Sequence, residues 1–384
     1  MPPAQPAPAP LAGYTVAVTA ARRAEEIGGL LERRGAAVIH APALRIAPLA
    51  DDTDLYKVTT DLITSPPDTV VATTGIGFRG WLEAAEGWGE GDRLRAVLGQ
   101  ATLLARGPKA CGAIRAAGLR ELWSPTSESS AEVLTRLLSE GPLHSRRIAV
   151  QVHGDPLHDF TDALRDAGAT VLPVTVYQWM APADLAPLDR LLDAICAGRV
   201  DAVTFTSALA AAGLLRRASE CGRAPALQEA MCGRVVAACV GPVSAGPLLA
   251  RGVPATWPER YRVGALVRHV IDALTTRAPA LMVAGHSLEV RGSAAVVDGC
   301  LHPVPPGPMA VLHALARHPG QVVRRADLLA ELPGGGDNEH AVEAAVARLR
   351  SGLGSPGIVQ TVVKRGYRLA LAVQAAALPA HLSN

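Results

Sequence analysis

No apolar run of about 18 or more residues escapes interruption by Gly or Pro in this chain, so no membrane-crossing helix is expected. The opening stretch MPPAQPAPAP lacks the basic and apolar regions of a secretory leader. Residues 1–12 are expected to be a disordered, proline-rich lead. The six cysteines (Cys111, Cys196, Cys221, Cys232, Cys239, Cys300) show no C-x-x-C spacing. Most fall in apolar helix or strand patterns, which reads as buried free thiols in a reducing cytoplasm. A large charge imbalance is missing too, with 37 Lys plus Arg against 35 Asp plus Glu and a net charge of +2. Lysine is limited to Lys57, Lys109 and Lys364, and aromatics make up 3%. With abundant Ala, Arg, Gly and Pro, that bias belongs to GC-rich coding before any function.

What is present is a soluble, globular composition, 49% hydrophobic and 19% charged. A length of 384 residues exceeds one ordinary core and implies two or three domains. The first 275 residues alternate strand and helix. Expected strands are Tyr14–Thr19, Ala36–His40, Thr69–Ala72, Thr102–Ala105, Glu121–Trp123, Arg147–Val152 and Val171–Tyr177, then Ala202–Thr206, Val235–Val240 and a short one near Ala255. Helices between them imply parallel sheets covered on both faces, and ten strands suit two α/β lobes better than one sheet.

A weak internal repeat supports two lobes. VVATTGIGFRGWL (70–82) resembles AVTFTSALAAAGLL (202–215), each an apolar strand ending in small hydroxyl residues before a helix. LLARGPKACGAIRAAGL (103–119) matches ACVGPVSAGPLLARGV (238–253), each a strand meeting Gly-Pro. Such strand ends deliver hydroxyls and backbone N–H groups to helix N-termini, which are natural anion sites. HGDPLHD (153–159) gathers two His and two Asp. It reads either as polar residues around a helix N-cap or as part of a metal site whose other ligands no spacing identifies.

The C-terminal region carries a different signal. In DNEHAVEAAVARLRSGLGSPGIVQTVVKRGYRLAL (337–371), Val342, Val346, Leu349 and Leu353 form one apolar helical stripe, with Arg348 and Arg350 pointing away. Two β-type runs, Ile358–Val363 and Tyr367–Leu371, flank the basic corner Lys364–Arg365–Gly366. From Ala344 onward there are five Lys/Arg and no Asp or Glu. That imbalance suits a phosphate-facing surface, a solvated helix and hairpin being the plainer reading.

Residues 280–371 resemble the effector domain of OmpR-type response regulators. Four short strands (Leu281–Ala284, Ser287–Arg291, Ala294–Val297 and one near Leu301) precede a helix at Pro308–His318. PGQVVRRADLLAEL resembles the family's second helix and TVVKRGYRL its wing. The resemblance implies a winged helix on double-stranded DNA. Arg348 would face the major groove, Arg325 and Arg350 the phosphates, and Lys364 and Arg365 would lie on the wing. Val363 and Lys364 depart from the usual Arg-Gly, so the base preference cannot be borrowed. PGGGD (333–337) falls in the loop that often touches RNA polymerase in that family, or is a plain linker.

Residues 13–275 resemble uroporphyrinogen-III synthase. The fold class implied is α/β: two parallel-sheet lobes, the first discontinuous, followed by the winged helix. Lobe one would be 13–44 with 178–275 and lobe two 46–176, with Ile46–Ala50 and Val176–Trp179 as crossing linkers and 372–384 as a tail. That family closes hydroxymethylbilane into a macrocycle with loss of water and no metal or cofactor. The substrate carries eight carboxylates, so the resemblance implies a cleft rich in hydroxyls, helix N-termini and cations. Thr73, Thr74, Lys109, Thr206, Ser207 and Ser244 stand at cleft-facing positions, Arg22 or Arg23 matches the arginine after the first strand, and His153 is a further candidate. Tyr177 matches a tyrosine held to assist departure of the hydroxyl; a plain linker residue is the other reading. Ala72, Arg106 and Ala110 depart from the family pattern.

Two functions follow from these resemblances. One is a cytoplasmic transcription regulator, a homodimer on DNA, whose synthase-like part takes the receiver's place and senses a tetrapyrrole or similar anion. Proteins of this architecture resemble regulators of nitrate and nitrite assimilation. The other is a working synthase with an accessory DNA-binding domain. In either case the winged helix is expected to hang from a helix at Arg262–Leu274 through the connector Thr275–Ala280.

Overall fold

The computed structural model describes residues 7–48, 52–152, 157–333 and 340–371. The chain forms two compact units, one built from residues 1–44 with 182–384 and the other from residues 45–181.

The first unit contains lobe one and the C-terminal region. Lobe one is a five-stranded, all-parallel sheet. Thr15–Val18 lies between Ala37–His40 and Ala202–Phe205, followed outward by Val236–Cys239 and Ala255–Thr256. Ala202–Phe205 and Val236–Cys239 are buried throughout, which explains their unbroken apolar sequence where alternation would mark a one-sided sheet. Helices Ala24–Glu32 and Val263–Arg277 cover one face through Ile27, Leu31, Leu266, Val270 and Leu274.

The proline-rich lead ends earlier than expected. Leu11 is fully buried in the lobe-one core, and its N–H donates to the Arg34 carbonyl at 2.8 Å. Tyr14, also buried, donates its hydroxyl to the Leu274 carbonyl at 3.3 Å, fixing the last helix. That helix runs to Arg277, three residues beyond the expected Leu274.

The C-terminal region opens with an antiparallel sheet in simple order: Leu281–Val283, His286–Val290, Ala294–Val297 and Cys300–Pro303. Three helices follow, Pro306–Arg317, Arg325–Glu331 and His340–Gly352, then a hairpin of Val359–Val362 and Gly366–Leu369. Val342, Val346, Leu349 and Leu353 all enter one core with Leu312, Leu315, Leu328 and Tyr367, as the stripe predicted. This is the helical trio and wing of a winged helix.

The second unit is a four-stranded parallel sheet in the order Thr102–Ala105, Thr69–Ala72, Arg147–Val152, Thr170–Thr175. Its two faces bury separate clusters, Phe78, Trp81 and Leu94 on one side and Val133, Leu137 and Leu164 on the other. The expected strand Glu121–Trp123 reduces to one bridge, Leu104 with Trp123. The expected strand Val171–Tyr177 breaks at Val176. There the chain leaves the parallel sheet, and Tyr177–Met180 pairs antiparallel with Arg45–Pro48. The expected crossing linkers, Val176–Trp179 and the described part of Ile46–Ala50, are thus largely a two-stranded antiparallel ribbon.

Candidate DNA interface and polar strand ends

The hydroxyl-bearing strand ends fold alike, each within its own unit. In the second unit Thr74 is the extended N-cap of helix Gly75–Gly87, and its Oγ1 accepts from the Gly77 N–H at 3.2 Å. In lobe one Ser207 does the same for helix Ala208–Glu220, accepting from Ala210 N–H at 3.1 Å. These are ordinary N-cap bonds, and they leave each hydroxyl's proton free to point elsewhere. The Gly-Pro pairs also match: Gly107 and Gly241 are extended N-caps with Pro108 and Pro242 in the first turn.

The preceding hydroxyls differ. Thr73 is buried and donates to the Gln151 backbone carbonyl at 2.6 Å, so it is a strand-to-strand tie with no free donor. Ser244 is likewise buried, inside helix Pro242–Leu249, while Thr206 is partly exposed. Lys109 is exposed at the start of helix Pro108–Ala116. Its backbone carbonyl lies against Gly75, where an added Cβ would fall 2.2 Å away. Arg22 is exposed, and Arg23, in the left-handed conformation at φ 58°, is paired with Glu26. His153 lies outside the described residues, as does most of HGDPLHD.

Tyr177 has its ring buried, and its hydroxyl lies 3.2 Å from the Thr74 hydroxyl. Sequence reasoning missed the side chain that organises this pair. Gln151, fully buried on the neighbouring strand, accepts the Thr74 backbone N–H at 2.9 Å and donates to Thr74 Oγ1 at 3.2 Å. A lone glutamine in an apolar strand, IAVQV, was the available signal, since a buried amide must find partners. Arg106 stands near Tyr177 and Glu128. Burial draws its guanidinium below the usual range, and the fields of Tyr177 and Glu128 oppose that. A capped helix N-terminus, a buried phenol and a half-buried guanidinium can together hold an anionic oxygen and place a proton beside it.

In the winged helix the basic residues divide into two groups. Arg348 is exposed on helix His340–Gly352, outside its buried stripe. Lys364 and Arg365 are exposed at the hairpin tip, with Lys364 at φ 59°. Val363 beside them is 78% exposed. Arg350 is turned inward: it donates to the Val359 carbonyl at 2.9 Å and to Thr361 Oγ1 at 2.8 Å. Arg325 pairs with Glu343 at 3.3 Å. Both guanidinium groups pack on the Tyr367 ring, at 5.7 Å for Arg325 and 5.9 Å for Arg350. The two expected phosphate contacts therefore brace the wing against the helices, a role that helical spacing alone does not reveal. Residues 334–337 of PGGGD lie outside the described residues.

The family pattern for uroporphyrinogen-III synthase HemD matches residues 25–268, more than half of the chain. The chain belongs to the uroporphyrinogen-III synthase HemD family. The pattern for the C-terminal domain of transcriptional regulatory proteins matches residues 303–369, so a HemD-family part is joined to an OmpR-type DNA-binding domain. The HemD-family part is similar to a mutant uroporphyrinogen III synthase of the extremely thermophilic bacterium Thermus thermophilus. Identity is 30%, coverage is 68% of this chain and 98% of that one, and the TM-score is 0.56. It is also similar to the uncharacterized protein YjjA of Bacillus subtilis strain 168, at 30% identity over 261 residues, covering 67% of this chain and 94% of that protein. The C-terminal domain is similar to the DNA-binding domain of Klebsiella pneumoniae RstA in complex with the RstA box. There the identity is 28%, with 22% of this chain and 90% of that one covered and a TM-score of 0.20.

Proposed function

We propose that this protein is a transcription regulator that binds double-stranded DNA as a homodimer and uses its HemD-family part as a sensor. The observation carrying this reading is the division of basic residues in the C-terminal domain. Arg325 and Arg350 build the wing's support, while Arg348, Lys364 and Arg365 remain outward on the two elements that would enter the grooves. The ligand sensed is a tetrapyrrole or similar polycarboxylate. Its recognition is assigned to Thr74, Tyr177 and Lys109 of the second unit. Thr73 spends its hydroxyl on the Gln151 carbonyl and Arg23 its guanidinium on Glu26, so neither is assigned to the ligand. Target genes of nitrate or nitrite assimilation, or linked to tetrapyrrole supply, fit chemically, because nitrite reductases use sirohaem, a derivative of uroporphyrinogen III. The loop around PGGGD is the candidate contact for RNA polymerase or another regulator.

A second reading, retained synthase activity, is favoured by one specific feature. The Thr74–Tyr177 hydroxyl pair, braced by Gln151, is a positioned donor of the kind needed to assist loss of hydroxyl from hydroxymethylbilane. One experiment separates the two. Purified protein is offered a random duplex pool and, separately, hydroxymethylbilane. Enrichment of one duplex motif without formation of the type III isomer supports the regulator, whereas turnover without any motif supports the enzyme.

A further inference from the structure

Residues 9–15 and the winged helix meet in a built joint that the sequence did not announce. Arg291, at the end of strand His286–Val290, has a side chain only 7% exposed. Its Nη1 donates to the Ala9 carbonyl at 3.1 Å and to the Ala12 carbonyl at 2.9 Å. Its Nε and Nη2 donate to Glu289 at 3.3 and 2.9 Å, and the guanidinium sits 5.8 Å from the Tyr14 ring centroid. Two residues on, the Ser293 N–H and hydroxyl both donate to the Gly13 carbonyl, at 2.7 and 3.1 Å. A buried guanidinium is tolerated only when its donors are used, and four donor contacts are made here, two of them across the joint.

Gly292 stands between these contacts, and its backbone is not in the left-handed region that favours glycine. A Cβ there would fall 2.1 Å from an Asp201 carboxylate oxygen. That carboxylate is held by the Thr15 N–H at 2.7 Å. Glycine is thus required by close approach alone. The same segment reaches the last helix of lobe one through Tyr14 and Leu274. One short stretch therefore touches the starting ends of two inner lobe-one strands, the lobe's final helix and the effector sheet.

We propose that residues 9–15 are the coupling element of the molecule: they dock the winged helix on lobe one through Arg291, Gly292 and Ser293, and pass changes between the two. The passing of changes rests on the regulator reading; the docking does not. It follows that the connector after Arg277 is not the sole tie, and lengthening it would not by itself release the effector. Because coupling is reciprocal, occupancy of the recognition helix must be felt at residues 9–15 even when the inducer is unknown.

Hydrogen exchange on the full-length chain tests this. In Arg291→Ala, and independently in Gly292→Ala, which alters no charge, amides of residues 9–15 and of Ala294–Val297 should exchange at least roughly tenfold faster than in wild type. Wild-type rates there in both variants would overturn the docking. A duplex enriched from a random pool by the wild-type protein is then added. It should change exchange at residues 9–15 by about threefold or more in wild type and leave it unchanged in the variants. Both variants keep Arg348, Lys364 and Arg365, so both still bind duplex. Binding with no change at residues 9–15 in wild type would overturn the transmission. Failure of wild type to enrich any duplex would instead sink the regulator reading, with the free-protein exchange still deciding the joint.

Discussion

Asp201 at the start of strand Ala202–Phe205 offers a prediction whose size follows from its surroundings. Burial pushes its carboxyl up to about 6 from 3.8, and the hydrogen bond from Thr15 N–H offsets only part of that. Tyr14, Arg291, Glu289 and His313, whose ring donates to the Gly292 carbonyl at 3.1 Å and is drawn down by burial, are titratable groups near this joint, and they are common to both proteins compared below. A carboxyl that binds its proton more tightly folded than unfolded destabilises the fold once ionised. The penalty is absent below about 4, grows as pH rises, and is complete above about 6. From 3.8 to about 6, at about 1.4 kcal/mol per pH unit, it reaches roughly 3 kcal/mol. That is an upper bound, because the side chain keeps some solvent contact. Asp201→Asn preserves an acceptor for Thr15 N–H and removes the charge. The variant should be more stable than wild type by about 1–3 kcal/mol at pH 7.5, and the gain should vanish near pH 4. The assay is the opening free energy from amide exchange of strand Ala202–Phe205 across that range. Carboxylates held low by arginine, such as Asp189 beside Arg217, contribute the opposite slope, and they cancel between the two proteins. A variant less stable at pH 7.5, or a difference independent of pH, would refute the reasoning.

Other expectations follow from the same contacts. Gln151→Leu leaves the Thr74 N–H without its acceptor and should lower stability of the second unit by about 1–3 kcal/mol, read from exchange of strand Thr69–Ala72. Arg350→Ala removes two hydrogen bonds and a ring contact, so exchange of the hairpin should quicken by the equivalent of about 1–3 kcal/mol. Arg348→Ala should cost about 1–3 kcal/mol on the enriched duplex and little on scrambled DNA, measured by fluorescence anisotropy. Replacing Lys364 and Arg365 together should weaken both duplexes alike and shallow the salt dependence by roughly two phosphate contacts.

Features with a short period were legible in the chain. The stripe Val342–Val346–Leu349–Leu353 announced a buried helix face, and the paired strand ends at Thr74 and Ser207 announced matching caps. What stayed hidden depends on partners far apart in sequence. Leu11 looked like part of a proline-rich lead because the core it joins is assembled from segments as distant as Ile27 and Leu274. Gln151 answers Thr74 across 77 positions, and Arg291 answers Ala9 across 282. Arg350 has the helical phase of a solvent residue, yet its length lets it fold back over Tyr367. Polar groups of this kind are placed by tertiary demand for hydrogen-bond partners, and no local pattern encodes that.

Whether a HemD-family fold here serves a sequence-specific DNA-binding regulator is decided by equilibrium binding at physiological salt. The full-length protein is titrated against the duplex it enriches from a random pool and against a scrambled duplex of equal length and composition. A sequence-specific regulator should bind the enriched duplex more tightly by about a thousandfold or more. Equal affinity for the two would contradict it.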